Sequence, residues 1–103
     1  MKARQITSVG ELGDTFVIKV RSVKEVKKVL LMGKGEFAQI WTVLDAKPFD
    51  WDLRRRIFDI EGEILQASSK PFVEFRLINL AEVDEEQRPF LLPQAATVLY
   101  ERQ

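Results

Sequence analysis

Between Pro48 and Gln66, Leu53, Ile57, Ile60 and Ile64 recur at steps of four, three and four residues, so they line one side of a 3.6-residue period. Phe58 and Leu65 fall next to that stripe in the sequence pattern and are read as widening it. Asp50 stands where an N-cap is needed, and Asp52 lies in the first turn, where the helix dipole favours negative charge. Asp52 with Arg56 and Arg55 with Asp59 are opposite charges four residues apart, each pair worth a few tenths of a kcal/mol. Gly62 costs about 1 kcal/mol relative to alanine inside a helix and is read as marking the close approach of another backbone. The pattern predicts a long amphipathic helix over about 50–66 whose apolar side packs on a sheet.

The rest of the chain is dominated by shorter periods. Thr15 to Arg21 alternates, with Phe16, Ile18 and Val20 on one side, which predicts a half-buried strand. The polar start, Met1 to Gly13, reads as a loose drape, with Ile6, Val9 and Leu12 spaced to pin it. Ser22 to Met32 has two readings. Ser22-Val-Lys-Glu25 has the form of a capping box and Val23, Val26 and Leu30 follow at helical spacing, whereas Val29 to Met32 suits a buried strand after one turn. Gly33-Lys34-Gly35 is a turn under either reading. Phe37 to Asp45 is too continuously apolar for a strand with one wet face and is placed centrally. Phe72 to Leu80 alternates again, setting Glu74 and Arg76 on one side and Val73, Phe75, Leu77 and Asn79 on the other. Glu82 to Arg88 reads as an acidic solvated loop, Pro89 to Pro93 as an apolar strap between two prolines, and Ala96 to Glu101 as a last strand. Together these predict one two-layer α+β domain over residues 1–103, a mixed sheet with one long helix packed on it.

Composition narrows the chemistry. Sixteen Lys and Arg balance sixteen Asp and Glu, so no global field gathers nucleic acid or acidic membrane. Without Cys there are no disulfides or thiolates, and without His the commonest general base and metal ligand are missing. Any catalysis must run on carboxylates, of which Glu36, Asp45 and Glu74 are those that sheet geometry is able to bring together, and the plain reading of the three as ordinary surface acids is favoured. No apolar run reaches the roughly 20 residues of a membrane span, and the first residues lack a signal-peptide core, so a soluble cytoplasmic protein is expected.

From Trp41 onward the order of pieces resembles the minimal nucleotidyltransferase domains of the polymerase-β superfamily. The resemblance rests on Thr42-Val-Leu-Asp45, on Phe49-Asp-Trp-Asp-Leu-Arg-Arg-Arg-Ile-Phe-Asp-Ile60 and on Phe72 to Leu80. It continues through the acidic loop, Pro89-Phe-Leu-Leu92 and the closing Thr97-Val-Leu-Tyr-Glu-Arg102. It covers a little over half the chain and implies a nucleotidyltransferase-like fold, with the strand at 37–45 beside one ending at Met32. Members of that family hold two metals on paired aspartates after a Gly-Ser turn. In the matching register Met32-Gly33-Lys34 replaces the Gly-Ser, Phe37 and Gln39 replace the aspartates, and Glu74 is the candidate for the third carboxylate. The resemblance therefore implies a catalytically degenerate domain without cofactor, binding a protein partner or itself, as in toxin and antitoxin pairs with a helical partner. The alternative is an active, Mg2+-dependent nucleotidyltransferase with a rearranged carboxylate set.

Each remaining candidate has a plain reading beside the functional one. Gly33, Lys34 and Gly35 form either a residual phosphate nest or a simple turn, and they lack the Gly-x-x-x-x-Gly-Lys-Ser/Thr pattern of a phosphate-binding loop. Arg54, Arg55 and Arg56 splay around a helix and are balanced by Asp52 and Asp59, which favours a solvated face over a nucleic-acid patch. Trp41 and Trp51 are read as core and helix-start packing, with the interface anchor, for which Trp is the commonest residue, as the functional alternative. Phe90, Leu91 and Leu92, an apolar strap, and Tyr100 on the adjoining sheet edge form either a dimer interface or, in the plain reading, a strap folded inward over the helix.

Overall fold

The computed structural model describes residues 8–34, 37–68, 73–93 and 95–102. Its elements are α1 (Val9–Val20), β1 (Val26–Lys34), β2 (Phe37–Leu44), α2 (Trp51–Gln66), β3 (Val73–Asn79), the one-turn α3 (Arg88–Leu91) and β4 (Thr97–Glu101). Two 3-10 turns, Leu80–Glu82 and Glu85–Gln87, replace the expected open loop after β3. The sheet runs β3-β2-β1-β4, with β2 and β3 parallel and the other two pairings antiparallel. The α+β class and the mixed sheet are as expected, but two helices rather than one lie on it.

The second helix, α1, overturns the strand expected at 15–21. Ser8 Oγ accepts from Glu11 N at 3.1 Å, a capping arrangement that opens the helix where a loose drape was read. Leu12, Phe16 and Val20 then bury one side at four-residue steps, while Ile18 is left 60% exposed. Phe16 and Val20 belong to a period of two and to a period near four alike; Leu12 below and the cap decide for the helix. The β-branched residues of this stretch are overridden by burial. Ile6 lies outside the described residues. Ser22 does not open a helix either: its hydroxyl donates to Lys19 O at the end of α1, and the chain turns at 21–25 into β1. Of the two readings for 22–32, the turn and strand is the one formed.

Both helices pack on one sheet face. Val29 of β1, Ala38, Ile40 and Leu44 of β2 and Val73 of β3 meet Leu12, Phe16 and Val20 of α1 and Leu53, Ile57 and Ile64 of α2 in a single core. Phe16 and Phe75 stack with ring centroids 5.0 Å apart. β2 is central, as its continuous apolar run requires, and Val43 on its other side is buried too. Glu74 and Arg76 lie on the outward side of β3 and pair with each other, while Val73, Phe75 and Leu77 face the core. Arg102 ties the carboxyl end to the α1–β1 turn, donating to Val26 O at 3.1 Å, Arg21 O at 2.7 Å and Val23 O at 3.3 Å.

Three expectations for the long helix are corrected. Phe58 and Leu65 are exposed and do not widen the buried stripe. The pairs Asp52–Arg56 and Arg55–Asp59 are not among the ion pairs of the described residues; Arg54 with Glu82 and Lys19 with Glu63 are. A Cβ built on Gly62 meets nothing within 4 Å, so no backbone approaches there. The tight glycine is Gly13 of α1, where a Cβ would lie 2.8 Å from Leu99 Cδ1 of β4.

Ile57→Ala should lower unfolding free energy by about 2 to 5 kcal/mol, whereas Ile18→Ala should stay within about 0.5 kcal/mol. Denaturant titration of both variants checks the helical reading, because a strand at 15–21 would make Ile18 as costly as Phe16.

Candidate functional site

Among the described residues, Asp45 and Glu74, two of the carboxylates expected to carry chemistry, are not brought together. Asp45 is exposed just past the end of β2, and its N–H donates to Glu25 O. Glu74 is in register with Gln39 near the other end of the sheet. Six residues of strand separate that level from Asp45, about 20 Å at the rise of a β-strand. Glu36 and Gly35 lie outside the described residues, as do the side chains of Lys34 and Phe37. Gly33 has φ 84°, a left-handed conformation inside β1 that glycine adopts without strain. At the level where the resemblance would place metal ligands, Met32, Gln39 and Glu74 are neighbours across three strands. Gln39 Oε1 accepts from Trp41 Nε1 at 3.1 Å, and Glu74 is engaged by Arg76. Trp41 is half-buried on this helix-free face rather than in the core.

A denser polar arrangement lies at the carboxyl ends of the parallel strands β2 and β3. Asn79, the last residue of β3, is 4% exposed. Its Oδ1 accepts from Ala46 N at 3.1 Å and Ala81 N at 3.2 Å, and its Nδ2 donates to Lys47 O at 3.2 Å and Glu82 Oε2 at 3.1 Å. All four hydrogen-bonding positions of the carboxamide are thereby used. Glu82 carries the network onward, accepting from Phe49 N at 3.0 Å and from Arg54 Nη2 at 2.6 Å. The Arg54 hydrogen bond, followed by that from Phe49 N, holds the Glu82 carboxyl below its ordinary range. Glu82 is thus not the solvated loop acid that its neighbours in sequence suggest.

This network fixes the segment leading into α2. Phe49 has φ 58°, uncommon for a residue with a side chain and maintained by surrounding bonds. Asp50 caps the helix as expected, accepting from Leu53 N at 3.2 Å. Phe49 and Trp51 are left 63% and 66% exposed, their rings 6.2 Å apart, with the Arg54 guanidinium 5.7 Å from the Trp51 ring. Trp51 is therefore at the start of the helix but not packed inside.

Trp51 also begins a second apolar line on α2. Phe58 and Leu65 follow at seven-residue steps and are 51% and 45% exposed. At about 100° per residue these three lie within about 40° of one another, well away from the buried Leu53, Ile57 and Ile64. Gly62, open on the same side, leaves a shallow place in the ridge. Beside the line, Glu61 is half-buried, its Oε2 has no hydrogen-bond partner, and loss of solvent raises its pKa from 4.5 to about 7.

The expected interface is placed differently. β4 is an edge strand, as anticipated, with Val98 exposed, but Tyr100 packs against the core and Leu92 is half-buried. The side chains of Phe90 and Leu91 lie outside the described residues; their backbone forms α3 rather than an irregular strap. Among the described residues no helix is long and apolar enough to cross a membrane.

Two outcomes follow. Asn79→Ala should cost about 1 to 3 kcal/mol, the range for leaving buried partners unsatisfied, measured by denaturant unfolding. Glu61 binds its proton more tightly in the folded chain than in the unfolded one, so stability falls as pH rises from about 4.5 through about 7. Glu61→Gln should flatten that part of the Tm–pH profile, with the largest gain in Tm above pH 7; an unchanged profile would contradict the burial of this carboxyl. No protein-family model matches the chain, and neither the curated proteins nor the solved structures contain a significant match to it.

Proposed function

We propose that this domain acts by contact, presenting Phe49, Trp51, Phe58 and Leu65 to a protein partner, on a scaffold akin to the nucleotidyltransferases but without their catalysis. The observation that carries this reading is the exposed aromatic start of α2. A network of buried and half-buried groups holds the backbone of Phe49 and the side chain of Arg54, beside which the Phe49 and Trp51 rings stand exposed. Exposed Trp beside Arg is the composition of an interface anchor. Rigid support of such anchors lowers the entropy lost on binding. The proposed partner is a helix or a second copy, either of which offers a ridge for a seven-residue apolar line.

The residues at the level implied by the family resemblance also support a non-catalytic reading. Two-metal phosphoryl transfer needs several oxygen anions around ions about 3.5 to 4 Å apart. Met32, Gln39 and Glu74 offer a single carboxylate there, and Arg76 already neutralises it.

Calorimetric titration with Mg2+ and a nucleoside triphosphate tests this reading. Affinity no better than millimolar is expected. Tight, Mg2+-dependent binding that Glu74→Ala abolishes would instead establish the rearranged-site nucleotidyltransferase.

A further inference from the structure

We infer that the partner of the α2 ridge is the α2 ridge of a second copy, paired antiparallel about a two-fold axis at Phe58. The inference rests on the contact reading above and names its partner. The apolar line is symmetric in sequence about its middle residue: Trp51 and Leu65 stand seven residues before and after Phe58. Antiparallel pairing therefore sets Phe58 on its own copy and Trp51 on the other copy's Leu65, giving the self-complementary patch that a two-fold dimer requires.

Charge selects the same direction. Apart from Asp52, which is turned about 120° from Phe58 around the helix, α2 is basic before Phe58, at Arg54 to Arg56, and acidic after it, at Asp59, Glu61 and Glu63. In an antiparallel pair, residues on one flank of the seam meet residues on that same flank of the partner helix. Arg54 and Glu61, seven apart, share one flank, so each Arg54 comes beside the other copy's Glu61. Arg55 and Asp59 share the opposite flank, where Gly62 leaves room for the Arg55 side chain to cross. A parallel pair would place basic segments together and acidic segments together, which is unfavourable.

Two atoms without partners lie on this flank. Glu61 Oε2 and Arg54 Nε are both buried and unbonded within the chain. Pairing sets the Glu61 carboxyl and the Arg54 guanidinium of opposite copies on one flank, and because both atoms are covered by their own chain, a bond between them requires these side chains to turn outward. A contact centred on one helix per copy lies at the small end of specific interfaces, so reversible association is expected.

The chain has no cysteine, so single introduced thiols report the geometry without background. Sedimentation equilibrium of the full chain should show a reversible monomer–dimer equilibrium, weakened at least about tenfold by Phe58→Asp with Tm measured on dilute protein unchanged. Under mild oxidation Phe58→Cys should form a covalent dimer and Trp51→Cys should not. Arg55→Glu and Asp59→Arg should each weaken the dimer, and the two together should restore it. A monomer at every concentration, or a dimer indifferent to Phe58→Asp, overturns the pairing and leaves the contact reading to the nucleotide titration. Cross-linking through Trp51→Cys overturns the antiparallel direction.

Discussion

Because α1 and α2 both bury their apolar sides on the same face of a four-stranded sheet, neither can be covered all round. The shared core closes over Leu53, Ile57 and Ile64 of α2 and over Leu12, Phe16 and Val20 of α1. Each fully buried side chain of this kind contributes about 1.5 to 3 kcal/mol relative to exposure, so this one layer accounts for much of the stability of a small domain. The opposite side of α2 is left to solvent, yet its sequence is apolar every seventh residue. The domain's most distinctive surface is thus a consequence of how its core is made.

A second constraint joins that surface to the sheet. Asn79 ends β3 beside the end of β2, and its carboxamide satisfies the backbone of the β2–α2 connection on one side and Glu82 on the other. Glu82 then holds Phe49 N and Arg54. A buried amide with every position used behaves as a fastener, since breaking any one bond leaves a polar group of this buried side chain unpaired. Phe49 has a positive φ in this connection, and the hydrogen bond from its N–H to Glu82 helps to hold it.

Much of the fold could be read from the residues. The long helix, its Asp50 cap, the central position of Phe37 to Leu44 and the two-sidedness of Val73 to Asn79 follow from periods that only one element satisfies. α1 is hidden in the sequence because Phe16 and Val20 fit alternation as well as a helical turn, and only Ser8, Glu11 and Leu12 together break the tie. Phe58 and Leu65 were misplaced because residues one step from a buried position look like part of the same stripe until the angles are summed. The Asn79–Glu82–Arg54 network left only a weak trace in sequence, an asparagine on the inward side of a strand. Asn79 meets Ala81 and Glu82 locally, but the links to Ala46, Lys47, Phe49 and Arg54 span 28 to 33 residues of chain, a separation that no local pattern reports.

The central claim is that α2 carries two working faces, one built into the core and one turned to a partner. Amide chemical shifts followed by two-dimensional NMR from dilute to concentrated protein test it most directly. Concentration-dependent shifts are expected to cluster on Trp51, Arg55, Phe58, Gly62 and Leu65, with β4 and the helix-free sheet face unmoved. Shifts confined to Val98, Tyr100 and the β4 edge, with α2 silent, would contradict it.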